Sequence, residues 1–289
     1  MITNRFRNKT VLVVGASGSV GSALSRRLIK IGVKQLFILD QDETGIFDLY
    51  QDLRNQGKID YIMANIREWE TIRDVFRKIK PDIVFHAAAY KHVVPMEKYP
   101  DEAYKTNIIG TINLIKAAQQ VKVQRFIFIS SDKAVNPKSV MGKTKEEGEE
   151  ICLRQKSKTK FIVVRFGNVL ASRGSVVPIF QKAIKENREL MVTHRNMKRF
   201  VMGIFEAVDL VLRATLIGGG GEIFVLDMGE QMYVRDLAKM MVRLSGKPIE
   251  ITYGSPGPGE KFYEELMTSE ESKRAKKING MYVIEPPRR

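Results

Sequence analysis

Three glycines place the tightest constraint on this chain. Gly15, Gly18 and Gly21 stand at x-x spacing between an apolar run, Thr10–Val14, and a helical pattern that continues through Ile31. A strand that turns sharply into a helix needs such a sequence. Gly15 permits the tight turn, Gly18 lets the backbone approach a pyrophosphate, and Gly21 lets the helix pack close to the strand. Ser17, Ser19 and Val20 complete the loop. The helix N-terminus adds free N–H groups and positive potential. Glycine spacing alone is a weak signal; its strand–turn–helix context gives it weight. The expectation is a nucleotide-binding βαβ unit, against the plainer reading of a glycine turn with no ligand.

The following segments extend that unit. Gln35–Leu39 reads as a second strand ending at Asp40. A carboxylate there suits the ribose 2′-hydroxyl of NAD and repels the 2′-phosphate of NADP, although it could equally cap the next helix. A helix over 44–55 and a third strand, Asp60–Met63, lead to Asn65 and Ile66. After a helix to Ile79, a fourth strand, Pro81–Phe85, runs into His86 and then Ala87, Ala88 and Ala89, whose small side chains leave room for a cofactor against the backbone. A long helix is expected from Glu102 to Gln120, then strands at Arg125–Ile129 and Phe161–Phe166. Strands alternating with helices at this spacing predict an α/β fold with a parallel, doubly wound sheet. Beyond Gly167 the pattern loosens. Residues 1–167 form the expected dinucleotide-binding core, to which 204–228 return. Residues 168–203 and 229–289 form a smaller C-terminal substrate-binding lobe.

The fifth strand delivers the most reactive group of side chains. Ser131, Asp132 and Lys133 follow it directly, and a helical segment from Ser139 to Leu153 carries Met141 and Lys145. In open parallel sheets, ligands bind at the carboxyl ends of the strands. An Asp beside a Lys offers a proton donor and an acceptor within one turn of chain. The plainer reading is a surface loop with an ion pair.

Composition removes several classes of function. With 289 residues the chain can build one large α/β domain with an added lobe. The single cysteine, Cys152, cannot form an intrachain disulfide. The three histidines, His86, His92 and His194, form no metal-ligand pattern with it, so no metal is expected. The formal charge of +15 is spread along the chain without aromatic interleaving, which points to an anionic small substrate rather than nucleic acid. No apolar run is long enough to span a bilayer, and residues 1–10 lack an apolar signal core. A cytoplasmic location is the expectation.

With these segments in place the chain resembles the extended short-chain dehydrogenase/reductases, which have a Rossmann-type fold. More closely it resembles the bacterial UDP-N-acetylglucosamine 4,6-dehydratases of the polysaccharide biosynthesis protein family, in their Met-x-x-x-Lys subgroup. The matching stretches run from Gly15 to about Glu270. They include Pro81–His92, Ser131–Pro137, Met141-x-x-x-Lys145, Gly167–Leu170, Lys198-Arg-Phe200, Gly221–Gly229 and Pro258-Gly-Glu-Lys261. The resemblance implies tightly bound NAD, regenerated in each turnover, and a UDP-sugar substrate. The implied reaction is oxidation at C4, loss of water across C5–C6 and hydride return to C6. It assigns Asp132 as the acid for the C6 hydroxyl and Lys133 as the base for the C5 proton. It implies that Lys133 acts as a neutral amine, its pKa lowered by burial or by Lys145 or Lys91. Ser131 replaces the family's usual threonine and keeps the hydroxyl.

Met141 takes the place of the superfamily's tyrosine, and a thioether cannot accept a proton. The base at C4 stays open among Lys133, Asp132 and Ser131 acting through water, while Lys145 is implied to hold the nicotinamide ribose. The resemblance places Lys91, Asn168, Arg173, Thr193, Arg199 and Glu260 along the UDP-sugar cleft. Gly257 stands where the family has arginine, which removes one phosphate-facing cation. A homo-oligomer is also implied. The alternatives are a UDP-sugar 4-epimerase, or a catalytically silent NAD- or nucleotide-sugar-binding protein favoured by Met141 and Gly257.

Overall fold

Among the residues described by the computed structural model, 5–286, nine strands form one sheet. Residues 1–4 and 287–289, the outer ends of the ranges assigned from sequence, lie outside the described residues. The strands are β1 (Thr10–Val14), β2 (Gln35–Asp40), β3 (Ile59–Met63), β4 (Ile83–His86), β5 (Arg125–Ile129), β6 (Lys160–Arg165), β7 (Ile223–Leu226), β8 (Ala275–Ile278) and β9 (Met281–Ile284). Their order is β8-β9-β7-β6-β5-β4-β1-β2-β3. Pairing is parallel from β3 through to β7. The chain order reverses between β1 and β4, and that switch point opens a crevice at the strand ends.

Both faces of the sheet are covered, so its central strands are apolar throughout rather than alternating. On β1, Val11 and Val13 pack on one side with Leu24 and Leu28 of helix α1 (Ser19–Ile31). Leu12 and Val14 pack on the other with Phe76 of α3 (Trp69–Ile79) and Leu114 of α4 (Gly110–Gln120). Between them in the chain lies α2 (Glu43–Leu53). Helix α5 (Val140–Leu153) follows β5, and α7 (Ile204–Ile217) covers the α1 face. The lobe is built on α6 (Val176–Lys185), α8 (Val234–Ser245) and a short parallel pair of strands, with its own apolar cluster of Phe180, Leu190, Val192 and Ala238.

Two features depart from the sequence reading. Residues 275–284, assigned to the lobe, supply β8 and β9 and extend the main sheet: β9 pairs antiparallel with β7, and β8 antiparallel with β9. Met281 and Val283 join one face of the core and Ile284 the other, which covers an edge that β7 would otherwise expose. The expected long helix from Glu102 is broken by a π-turn at Lys105–Ile109. The Asn107 side chain in that turn is fully engaged: its amide donates to the Tyr90 carbonyl and Thr144 Oγ1, and its oxygen accepts from the Tyr90 amide. The turn therefore ties the chain after β4 to helix α5. Such π-turns recur at functional sites.

A buried ionic bridge joins the strand ends to the lobe. Arg165, at the end of β6, donates to both Glu149 oxygens on α5, at 2.5–2.9 Å, and to Glu271 at 2.8 Å. All three carboxylate and guanidinium groups are largely out of water. Breaking a buried bridge strands its partner charge at a cost of roughly 3–5 kcal/mol. Arg165→Leu is expected to lower the unfolding free energy obtained from urea titration by about that amount, and an unchanged urea midpoint would contradict the bridge's structural role.

Candidate active site

The glycine loop is shaped as its spacing requires. Gly15 has φ +78°, and a side chain there would collide with the Ala88 backbone. A side chain at Gly21 would run into the Gly15 carbonyl, so α1 sits hard against the end of β1. Gly18 is the N-cap of α1 and supplies no capping side chain, leaving the first amides of the helix available to an anion. Asp40 braces this loop: Oδ2 accepts from the Ser17 amide at 2.9 Å and Ser17 Oγ at 2.7 Å. The cap of α2 is Asp42, which accepts from the Gly45 amide, so capping does not compete for Asp40.

A cleft of about 580 Å³ runs along these elements. Gly15, Ser17, Gly18, Ser19, Val20 and Asp40 line one part of it, and Ile66, Ala87, Ala88 and Ala89 another. Asn65 turns its oxygen to the Arg67 amide, while its neighbours Ala64 and Ile66 form the wall. Uncapped helix amides, a floor of glycines and alanines and a carboxylate at the end of β2 fit a dinucleotide such as NAD.

At the end of β5 the chain enters a 3₁₀ turn, Asp132–Ala134, capped by Ser131. Asp132 is fully buried; its Oδ1 accepts from Ser131 Oγ at 2.8 Å and from Lys133 Nζ at 3.0 Å. Its Oδ2 has no partner. Lys133 Nζ also donates to Asn168 Oδ1 at 3.2 Å and lies 3.6 Å from Glu264 Oε1. The surface-loop reading fails here, because the pair is enclosed.

The expected lowering of the Lys133 pKa is overturned. Burial pulls it down, and so does Arg199, but the carboxylates of Asp132 and Glu264 outweigh them and hold it above the ordinary lysine value. Lys145 is depressed instead, brought from 10.5 to about 8 by burial, with Glu149 opposing. Lys145 Nζ donates to the Ile129 carbonyl at 2.8 Å and lies 4.7 Å from the centre of the Phe128 ring. Met141, one turn earlier on α5, is buried on the cleft wall beside Met96 and Tyr90.

A second cavity, about 260 Å³, adjoins the cleft and shares Lys91, His92 and Lys133 with it. Lys138, Arg199, Lys261, Glu260 and Glu264 complete its charged lining. Arg199 is held by the Lys198 and Lys261 carbonyls. Lys91 donates to the Arg173 carbonyl, and burial with Lys133 and Arg173 nearby pulls its pKa down. Glu260 accepts from the Gly257 amide at 2.9 Å, and a side chain at Gly257 would press on Val94. Asn168 lies in the dinucleotide cleft and touches Lys133. Arg173 lies beside the glycine loop instead, pairing with Asp42 at 3.2 Å and bonding Ser19 Oγ through its amide. Thr193 lines neither cavity. Glu264 escaped the sequence reading: it is 131 residues from Lys133, and only folding brings them together.

Comparison with known proteins places this geometry in context. Residues 11–286 match the family model described as "Polysaccharide biosynthesis protein". The chain belongs to that family. It is 43% identical over 281 residues to the capsular polysaccharide biosynthesis protein CapD of Staphylococcus aureus, covering 94% of this chain and 47% of CapD. The chain thus spans about half the length of that relative. It is 38% identical over 288 residues to a UDP-glucose 4-epimerase of Rickettsia bellii, covering 96% of this chain and 83% of the epimerase. Among solved structures, Pen from Bacillus thuringiensis superimposes with a TM-score of 0.93 at 37% identity, covering 98% of this chain and 90% of Pen. At 17% identity, the dTDP-glucose 4,6-dehydratase DesIV of Streptomyces venezuelae shares the fold, with a TM-score of 0.81 over 91% of this chain and 90% of DesIV.

Two measurements test the site's electrostatics. Lys145 has a folded pKa near 8 against 10.5 unfolded, so the cost of folding it charged is complete below about 8 and absent above 10.5. The stability of the protein relative to Lys145→Met is therefore expected to rise between those values in urea titrations; a constant difference would contradict the depressed pKa. Asp40→Ala is expected to weaken NAD binding roughly tenfold or more by calorimetry, through lost charged hydrogen bonds. Unchanged affinity would remove Asp40 from the cofactor site.

Proposed function

We propose that this protein is an NAD-dependent UDP-N-acetylglucosamine 4,6-dehydratase acting in surface-glycan synthesis. The observation that carries the reading is Lys133, which faces both the dinucleotide cleft and the cationic cavity beside it, with Asp132 hydrogen-bonded to its ammonium. An acid–base pair at that junction suits elimination from a sugar whose C4 lies toward the cofactor.

NAD, when bound, supplies the hydride acceptor for C4 and the donor for C6. The residues of the chain manage the protons. Asp132 receives the C4 hydroxyl proton, directly or through Ser131, whose Oγ lies 2.8 Å away. The C4 ketone acidifies the C5 proton, which Lys133 removes. Electrons from the C5–H bond form the C5–C6 double bond as the C6–O bond breaks, and Asp132 gives its proton to the departing hydroxyl to make water. After hydride reaches C6, Lys133 returns its proton to C5. Lys145 and Asp40 hold the two riboses. Lys91, Lys138, Arg199 and Lys261 offer positive charge to a diphosphate, which offsets the cation missing at Gly257.

The second reading, a UDP-sugar 4-epimerase, is favoured by the Rickettsia relative's name. Epimerisation needs no acid at C6 and no base at C5, so it leaves the Asp132–Lys133 pair without work.

Incubating the protein with UDP-N-acetylglucosamine in D₂O under proton NMR separates the two. A new C6 methyl signal with deuterium at C5 is expected, and accumulation of the galacto epimer would support the second reading instead. Lys133→Ala is expected to lose at least about a hundredfold in rate while keeping NAD, as for loss of a general base. Full activity in that variant would overturn the assignment.

A further inference from the structure

The proposed base has a difficulty that the site itself resolves. Lys133 must reach C5 as a neutral amine, yet two carboxylates favour its ammonium form. A proton leaving Nζ needs an acceptor inside the enclosure. Asp132 is already committed: its Oδ1 accepts from Ser131 Oγ and Lys133 Nζ, and the mechanism reserves it for the C4 and C6 oxygens.

Glu264 is placed differently. Its side chain is almost wholly buried, yet it lines the substrate cavity. Oε1 lies 3.6 Å from Lys133 Nζ and 3.9 Å from Arg199 Nε, beyond hydrogen-bond reach of either. Oε2 is buried with no partner. The Arg199 guanidinium is committed to two backbone carbonyls, and Lys261 to the Val135 carbonyl. A buried carboxylate that accepts no hydrogen bond holds a proton readily, and burial with Asp132 nearby pushes its pKa up against the pull of Lys133, Arg199 and Lys261.

We propose that Glu264 is a positioning residue for Lys133: once bound substrate tightens the 3.6 Å contact to hydrogen-bond distance, its carboxylate takes the ammonium proton from Nζ and leaves a neutral amine to accept the C5 proton. This rests on the dehydratase reading. In the transfer one N–H bond breaks, its electron pair stays on nitrogen, and one O–H bond forms on Glu264. An ion pair becomes a neutral pair, which an enclosed site favours once substrate excludes water. Glu264 keeps that proton through the cycle, while Lys133 takes and returns the C5 proton.

The test compares kcat and KM across pH for wild type, Glu264→Gln and Glu264→Asp, using UDP-N-acetylglucosamine. In wild type the pair becomes competent when it loses one proton, at the Glu264 end. In Glu264→Gln, Lys133 must lose its own proton to water, even though one of its neighbouring anions has gone. Asp132, Arg199 and Lys91 still face it. We expect kcat near neutral pH to fall about a hundredfold, KM to change little, and the acid limb to move up by about one pH unit or more, with activity recovering at alkaline pH. Glu264→Asp should regain at least about tenfold. An unshifted profile in an active Gln variant overturns the inference alone. So does a uniform loss at every pH that the Asp variant shares. Absence of a 4-keto-6-deoxy product from wild type overturns the dehydratase reading, and this role falls with it. Carbon-13 NMR of glutamate-labelled protein gives a readout without turnover: a carboxyl resonance missing from Glu264→Gln should titrate above the ordinary glutamate range, and titration within that range overturns the inference.

Discussion

Lys133 sits between two carboxylates where little water reaches, and the rest of the site is arranged around that balance of charge. Burial alone would lower the pKa of this ammonium; Asp132 at 3.0 Å and Glu264 at 3.6 Å outweigh that and raise it. Each carboxylate has one oxygen without a partner, so neither is saturated by the fold. Such groups are costly to bury unless they exchange protons or meet a ligand. Asp132 comes from the end of β5, Arg199 from a short strand of the lobe, and Glu264 from the segment that precedes β8. The site therefore exists only when core and lobe are closed on each other.

The closure has its own structural basis. Arg165 ties α5 to the helix at Ser269–Arg274, just beyond Glu264. The Asn107 turn fixes α5 against the chain that carries Tyr90 and Lys91. Helix α5 in turn presents Met141 and Lys145 to the cleft. On the proposed dehydratase reading, the absence of a hydroxyl at Met141 leaves proton handling at C4 to Ser131 and Asp132, and Lys145, its ammonium made more acidic by burial, holds the strand end.

The parallel core was readable because local rules dominate it. Glycine spacing, apolar strands and helix periods all pointed to one doubly wound sheet, and the turn at Gly15 needs the space that the sequence predicts. The Ser131-Asp132-Lys133 group was readable because it is contiguous. What the sequence hid was long-range. Residues 281–284 pair with β7, and 275–278 with them, through register rather than local pattern, so they looked like part of the lobe. The π-turn at Asn107 is set by partners on two other segments. The direction of the Lys133 pKa depends on Glu264, which no spacing connects to it. Arg173 was expected along the UDP-sugar cleft and sits beside the glycine loop because its own loop folds back over Ser19 and Asp42.

The central claim is that this arrangement of charge serves an elimination flanked by two hydride transfers within one sugar. Tracing the C4 hydrogen tests it most directly. UDP-N-acetylglucosamine carrying deuterium at C4 is turned over in ordinary water and the product examined by mass spectrometry and NMR. The account predicts loss of one water and the deuterium relocated to the C6 methyl group of the same molecule. Deuterium returned to C4 in a sugar that has kept all its oxygens would contradict it.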